Sequence, residues 1–242
     1  MPPWELEHVR RSRRHPKLTQ FDYLHLHCLV RDLRAAITRV PGPVDDVLDV
    51  WCGSRPYDDL FPSPTRVVGL DVVGNRYGVA DVVSDEFLPF EDASFDVVMF
   101  LEALQFVPAP AEAVAEMRRV LRPGGTALVG VPFAWEYERT FLERRFTGPE
   151  LERLFAAWED VIVRENGGAT VVWTVLTAAL LHRLETAVVR GRPLHLLRPL
   201  FGSAYAALNV IGLGLAKFEE RHPPAAALPM NLLVSARRPA VG

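Results

Sequence analysis

Apolar positions change their period along this chain, and each change marks an element. Phe21, Leu24, Cys28, Leu33, Ile37 and Val40 recur near helical spacing. They predict a helix opened by Thr19-Gln20-Phe21-Asp22, a capping-box-like start with Asp in place of Glu, and stopped by Pro41-Gly42-Pro43. The stretch before it, to about Pro16, is polar and basic and reads as loosely held. Short apolar runs then alternate with helical patterns. Residues 44–50, 66–70, 78–82, 95–101 and 126–131 read as strands. Residues 110–121 read as a helix with Val114, Met117 and Leu121 on one face and Pro123-Gly124-Gly125 as its stop. Thr147-Gly148-Pro149-Glu150 matches a capping box ahead of a helix over 150–157. Strands near 160–164 and 231–236 complete the pattern. Alternation of this kind predicts an α/β fold, a doubly wound and mostly parallel sheet. In such sheets ligands bind beyond the C-terminal ends of the strands.

Two stretches break the alternation. Residues 166–182 carry no Asp, Glu, Lys or Arg, and neither do residues 199–216. Arg183, Arg190, Arg192, Arg198 and Lys217 border them. They read as two apolar helices inserted before the last strand. Their apolar cores are short or interrupted by Gly and Asn, which favours a cap or an interface over a membrane span. The chain thus divides into a helical N-terminal extension or lid (1–40), a core (41–165 plus 229–238) and a helical insertion (166–228).

Composition excludes several classes. The 242 residues are 49% hydrophobic and 24% charged, the balance of a globular protein. A net charge of −3 leaves no electrostatic footprint for nucleic acid. The charge is unevenly placed: residues 41–110 hold 3 Lys/Arg against 13 Asp/Glu, while residues 171–242 hold 8 against 3. Cys28 and Cys52 cannot form a disulfide framework, and Met1–Arg14 lacks the apolar core of a secretory signal. A cytoplasmic setting is expected, with membrane association open through the insertion. His25-x-His27-Cys28 resembles a metal cluster, but residues two apart on a helix face different ways, so no metal site is expected.

The richest chemistry lies in Val47-Leu48-Asp49-Val50-Trp51-Cys52-Gly53-Ser54-Arg55-Pro56-Tyr57. An apolar strand ends in a carboxylate and enters a tight turn, with Pro56 placed to start a helix whose N-terminus would face a ligand. Asp49 suits an ammonium group. Asp71, 22 residues on at the end of the second strand, stands where a carboxylate grips a ribose diol. Either could instead be a plain helix cap, though their paired placement favours a ligand.

With these residues in view, the chain resembles the class I S-adenosylmethionine-dependent methyltransferases, in particular their small-molecule branch. Leu48–Ser54 matches the first motif except at Trp51, and Asp71 matches the ribose-binding acid. Leu88-Pro89-Phe90 with Phe95-Asp96-Val97-Val98, then Glu116–Gly125, then Arg145-Phe146-Thr147 follow in the family's order. The resemblance covers residues 21–164 and 231–236. It implies a Rossmann-like sheet of about seven strands and S-adenosyl-L-methionine as cofactor. It also implies methyl transfer to a small-molecule, glycan or lipid-linked acceptor. By position it assigns Gly53 and Ser54 to the methionine part with Asp49 on its amino group, Trp51 to the cofactor's side, and Asp71 to the ribose. Val72, with Asp85 or Glu86, goes to the adenine, and Leu101 and Glu102 go to the methyl-transfer site, with Glu102 as candidate base. Tyr23 is a candidate lid, and Tyr137 and Glu138 are candidate acceptor contacts.

Three departures bear on this. Trp51 and Arg55 replace family glycines, and Gln105-Phe106 stands where many relatives have Glu-His. Trp51 and the absent Glu-His motivate a competing reading: a methyltransferase-fold protein of weak or no activity that serves as a binding module. A nicotinamide dehydrogenase is disfavoured, because residues 51–56 contain one Gly rather than Gly-x-Gly-x-x-Gly. The apolar insertion admits peripheral membrane contact or a homodimer.

Overall fold

A computed structural model describes residues 1–137, 139–140, 142–189 and 198–240. Seven strands form one sheet: β1 (Asp46–Val50), β2 (Arg66–Asp71), β3 (Val82–Val83), β4 (Phe95–Leu101), β5 (Leu121–Pro132), β6 (Glu159–Asn166) and β7 (Asn231–Arg237). Their order is β3-β2-β1-β4-β5-β7-β6, and β7 runs antiparallel to both neighbours. The other pairs are parallel. The expected mostly parallel, doubly wound sheet is therefore present. The order reverses beside β1, so the ends of β1 and β4 border the crevice where such sheets take ligands.

Two apolar layers hold the sheet. On one face Leu48, Val98, Phe100 and Val129 pack against Met117 and Val120 of α3 (Pro110–Val120) and Leu151 of α4 (Gly148–Leu154). Central strands buried on both faces need continuous apolar runs, and Phe95–Leu101 supplies one. On the other face Leu29, Leu33 and Ile37 of α2 (Tyr23–Thr38) cover Val47, Met99, Leu128 and Leu233. Beyond α2 lies a third layer, α5 (Ala169–Val189) and α6 (Arg198–Arg221). There Val171, Val172 and Val175 meet Leu24 and Cys28.

Several expectations need correction. The N-terminal stretch is not loose: Pro3–Arg14 forms α1, with Pro at its start and Arg11, Arg13 and Arg14 in its last turn. Its arginines find partners on the core, which a sequence pattern cannot register. No α-helix follows Pro56. Among the described residues, a single 3-10 turn at Asp58–Leu60 is the helical element between β1 and β2. Arg55 holds that connection instead, donating to Asp58, Asp81 and the carbonyl of Val67. α2 starts at Tyr23 with Asp22 as its cap residue, so Thr19 does not open it. The Thr147/Glu150 capping box does form. Pro123-Gly124-Gly125 is not the helix stop; α3 ends at Val120 and these residues lie in β5.

The third layer docks through small and polar residues. Asn209, fully buried, donates Nδ2 to the carbonyls of Leu18 and Gln20. Glu219 accepts from the Ala169 and Thr170 backbone N–H groups at the start of α5. A Cβ on Gly212 would meet Leu24 Cδ1 at 2.5 Å and Thr174 Oγ1 at 2.6 Å, whereas one on Gly214 would meet nothing within 4 Å. Gly212→Ala is expected to destabilise the chain by about 1–3 kcal/mol through overpacking, which outweighs the gain of Ala over Gly in a helix. Gly214→Ala is expected to stabilise it by up to about 1 kcal/mol. Urea unfolding of the pair, compared at equal slope, checks both.

Candidate functional site

The connection after β1 is a left-handed turn at every second residue. Trp51, Gly53 and Arg55 have φ of 52°, 57° and 56°. Those are the three positions where the resemblance expects glycine. The backbone shape that favours glycine is therefore kept with two other side chains, at a cost of about 1–2 kcal/mol per residue. Contacts offset that cost. The Trp51 indole meets the Phe100 ring edge-on, with centroids 5.4 Å apart, and joins the core beneath the turn. Arg55 is tied into the ion pairs with Asp58 and Asp81.

The turn is closed by Asp71. Its Oδ2 accepts the Gly53 N–H at 2.8 Å and its Oδ1 accepts the Val72 N–H at 2.8 Å. Asn75 Nδ2 also donates to Oδ2. Asp71 is 4% exposed, so its remaining lone pairs face a narrow opening. Asp49 lies beneath the same turn and is 5% exposed. Among the described residues no hydrogen bond reaches its carboxylate. Burial, reinforced by the Asp58 carboxylate, holds its pKa well above the usual range. A buried carboxyl without a donor is costly. It is also what an ammonium group, direct or through water, would relieve.

The other expected residues divide. Ser54 is buried, and its carbonyl accepts from Arg10 Nε of α1 at 2.6 Å. Val72 is 41% exposed at the tip of β2. Asp85 and Glu86 are both exposed after β3, and Glu86 lines a different groove with Arg66 and Arg119. Leu101 ends β4 half-buried, and Glu102 follows with φ of 56°. Tyr23 stacks on His27 and packs toward α5, so it does not cover the turn. α1 lies there instead. Tyr137 is exposed beside Glu102's cleft, and Glu138 lies outside the described residues.

A cleft of about 420 Å³ opens beyond β4, between Glu102, Gln105, Arg13, His25 and Trp135. Burial raises the Glu102 carboxyl to about 7, against the pull of Arg13 and Arg145. His25 is 8% exposed and lowered to about 4 by burial, so it is neutral at pH 7. The sequence pattern missed Arg13, His25, Trp135 and Asn231 as site residues. They come from α1, α2, the loop after β5 and β7, and no spacing along the chain links them.

A methyltransferase-domain family model matches residues 48–129. A probable S-adenosylmethionine-dependent methyltransferase of Mycolicibacterium smegmatis is 38% identical over 97 residues, 36% of this chain and 38% of that protein. Phthiotriol/phenolphthiotriol dimycocerosates methyltransferase 1 of Mycobacterium ulcerans is 40% identical over 98 residues, 34% of this chain and 35% of that protein. The chain thus matches well under half the length of either relative. A SAM-dependent methyltransferase from Archaeoglobus fulgidus superposes with a TM-score of 0.54 at 12% identity, over 96% of this chain and 99% of that one, which shows a shared fold. Residues 48–129, which carry the left-handed turn and both buried aspartates, are the segment that matches the methyltransferase domain and the S-adenosylmethionine-dependent relative.

Proposed function

We propose that this chain binds S-adenosyl-L-methionine at the turn between β1 and β2. Its activity on this reading is transfer of the sulfonium methyl to a small-molecule or lipid-linked acceptor. The observation that carries the reading is the buried Asp49 carboxyl, left without a donor under a turn whose backbone is left-handed at 51, 53 and 55. The residues present fit the cofactor. Asp49 would take its ammonium and the N–H groups of the turn its carboxylate. Asp71 would take the ribose hydroxyls in place of Asn75. Val72, with Asp85 beyond it, would flank the adenine, and Leu101 and Glu102 would border the reacting methyl. Trp51 turns its indole toward Phe100 in the core, which keeps it compatible with this arrangement. Arg10 and Arg13 of α1 would close the site. The bound cofactor supplies an activated methyl, so the protein's task is proximity, orientation and exclusion of water.

The acceptor reading rests on the cap. Ala169–Val189 and Arg198–Arg221 are long and apolar enough to cross a membrane by length and composition, yet their inner faces are tied to α2 and the segment before it. Trp173, Leu180, Leu184, Leu200, Ile211 and Phe218 remain exposed on the outside. An outer apolar face beside cationic residues suits lipid-linked acceptors, as does the relative named for phthiotriol dimycocerosates. Arg190 and Arg192, expected at its border, lie outside the described residues. Salt-sensitive pelleting with anionic liposomes is expected if the face meets lipid. A dimer in sedimentation equilibrium without pelleting would assign it to a second copy.

Calorimetry with S-adenosylhomocysteine tests the cofactor. Micromolar binding is expected, and Asp71→Ala should weaken it by about 1–3 kcal/mol through loss of a charged acceptor. No binding by the folded chain would favour the interaction-module reading.

Asp49→Asn separates binding from stability. A folded-state pKa above the unfolded value makes an aspartate's contribution greatest at low pH and lost as pH rises through the folded value. At neutral pH the free chain should therefore gain stability from Asp49→Asn, by about 2–4 °C in Tm for each kcal/mol recovered. The gain should fade on acidification, while S-adenosylhomocysteine binding falls. Thermal melts at several pH values read the first effect and calorimetry the second.

A further inference from the structure

The cleft beyond β4 contains a connected polar set. Asn231, fully buried at the start of β7, donates Nδ2 to Glu102 Oε1 at 3.2 Å. The same nitrogen lies 3.4 Å from His25 Nδ1 of α2. The His25 ring stacks on Trp135, centroids 5.4 Å apart and planes 18° apart. Gln105, 3% exposed, donates to the Glu102 carbonyl at 2.8 Å, and its buried Oε1 has no partner among the described residues. Asn231 Oδ1 is likewise buried without one among them. Buried amide oxygens are normally paired, so these two suit a donor brought by a bound molecule.

The charges facing Glu102 define the ligand further. Arg13 of α1 lines the cleft with Asp22, Glu136 and Glu143; Arg145 after β5 pairs with Glu143, Arg183 pairs with Glu136, and His25 is neutral at pH 7. With those pairs formed, the Arg13 guanidinium stands near Glu102 and would stabilise negative charge developing on an acceptor oxygen. Trp135, beside His25, offers a planar wall.

We propose that this cleft takes a planar hydroxylated acceptor, a phenol or an enol. Its hydroxyl proton passes to the Glu102 carboxylate, with Asn231 and His25 as positioning residues. The proposal rests on the cofactor reading above. The acceptor O–H bond breaks and its proton goes to a Glu102 oxygen. The freed oxygen pair forms the new O–CH3 bond while the C–S bond of the sulfonium donor breaks, its electron pair leaving on sulfur. Glu102 then releases the proton to water. A carboxyl near 7 is about three units below a phenol, whose pKa is about 10, close enough for general-base transfer. Asn231 favours the ionised carboxylate by donating to it. His25, packed on Trp135, keeps the Asn231 amide turned toward Glu102.

The first test needs no cofactor or acceptor. In the free chain with 13C-labelled glutamate, one carboxyl should titrate near 7 and vanish in Glu102→Gln. Asn231→Leu should raise its midpoint by about one pH unit or more, since a donor to the charged form is lost. Asn231→Ala gives the same reading if the leucine variant does not fold. An ordinary carboxylate midpoint, or one unmoved in a folded Asn231 variant, overturns the proposal.

The second test is methyl transfer to 2-naphthol, with 1-naphthylmethylamine as the amine control. Transfer to the naphthol is expected, with kcat falling about 100-fold or more in Glu102→Gln and KM little changed. Its pH profile should move upward in Asn231→Leu. Transfer to the amine alone overturns the acceptor class, as does no transfer by a chain that binds S-adenosylhomocysteine. Absent S-adenosylhomocysteine binding would instead overturn the cofactor reading on which this one stands.

Discussion

The hydrogen bond from the Gly53 N–H to the Asp71 carboxylate joins the ends of the first two strands, and the site depends on it. It closes a turn whose backbone is left-handed at Trp51, Gly53 and Arg55. Without that closure, two of the three residues would sit in a conformation that L side chains rarely adopt, with little to hold them there. The tight turn also leaves Asp49 buried beneath it, with no hydrogen bond to its carboxylate from the described residues. The strain and the orphaned carboxyl are two consequences of the same geometry. Both are local losses of stability that the surrounding sheet tolerates because β1 and β4 are buried on both sides.

Where the resemblance expects glycines, this chain uses side chains that contribute elsewhere. The Trp51 indole fills the core against Phe100, and Arg55 ties Asp58, Asp81 and the β2 backbone together in place of the helix expected after β1. With only a 3-10 turn there, Arg55 ties the connection to the carbonyls of Val67 in β2 and Val79 beyond it. The loop is thus held by charge and hydrogen bonds rather than by a helix dipole. α1 then lies across it, with Arg10 on the Ser54 carbonyl.

The third layer divides its two helices by face. The inner faces dock through Gly212, Asn209 and the Glu219 contacts, which are close, polar and specific. The outer faces carry large apolar side chains that remain exposed. A helix apolar on both sides cannot report from its sequence which side is inside.

How far the sequence reached differs by element. Phe95–Leu101, long and apolar, matches its strand to the residue, and the Thr147/Glu150 box forms as read, because both are decided by local pattern. Asp49 and Asp71 were legible because strand ends and spacing place them. The fate of Pro3–Arg14 was not: a polar, basic stretch becomes a helix once Asp59 and the Ser54 carbonyl receive its arginines. The Glu102–Asn231–His25 set was equally hidden, since its members lie 129 and 206 residues apart and meet only when β7 inserts between β5 and β6. By itself the sequence determined the periods of burial, the order of the seven strands along the chain, and the carboxylates at strand ends, all properties of neighbours along the chain. Which face of each helix is covered, which arginine closes the turn and which groups share the cleft were decided by tertiary structure. Those outcomes depend on distances between segments that no local pattern encodes.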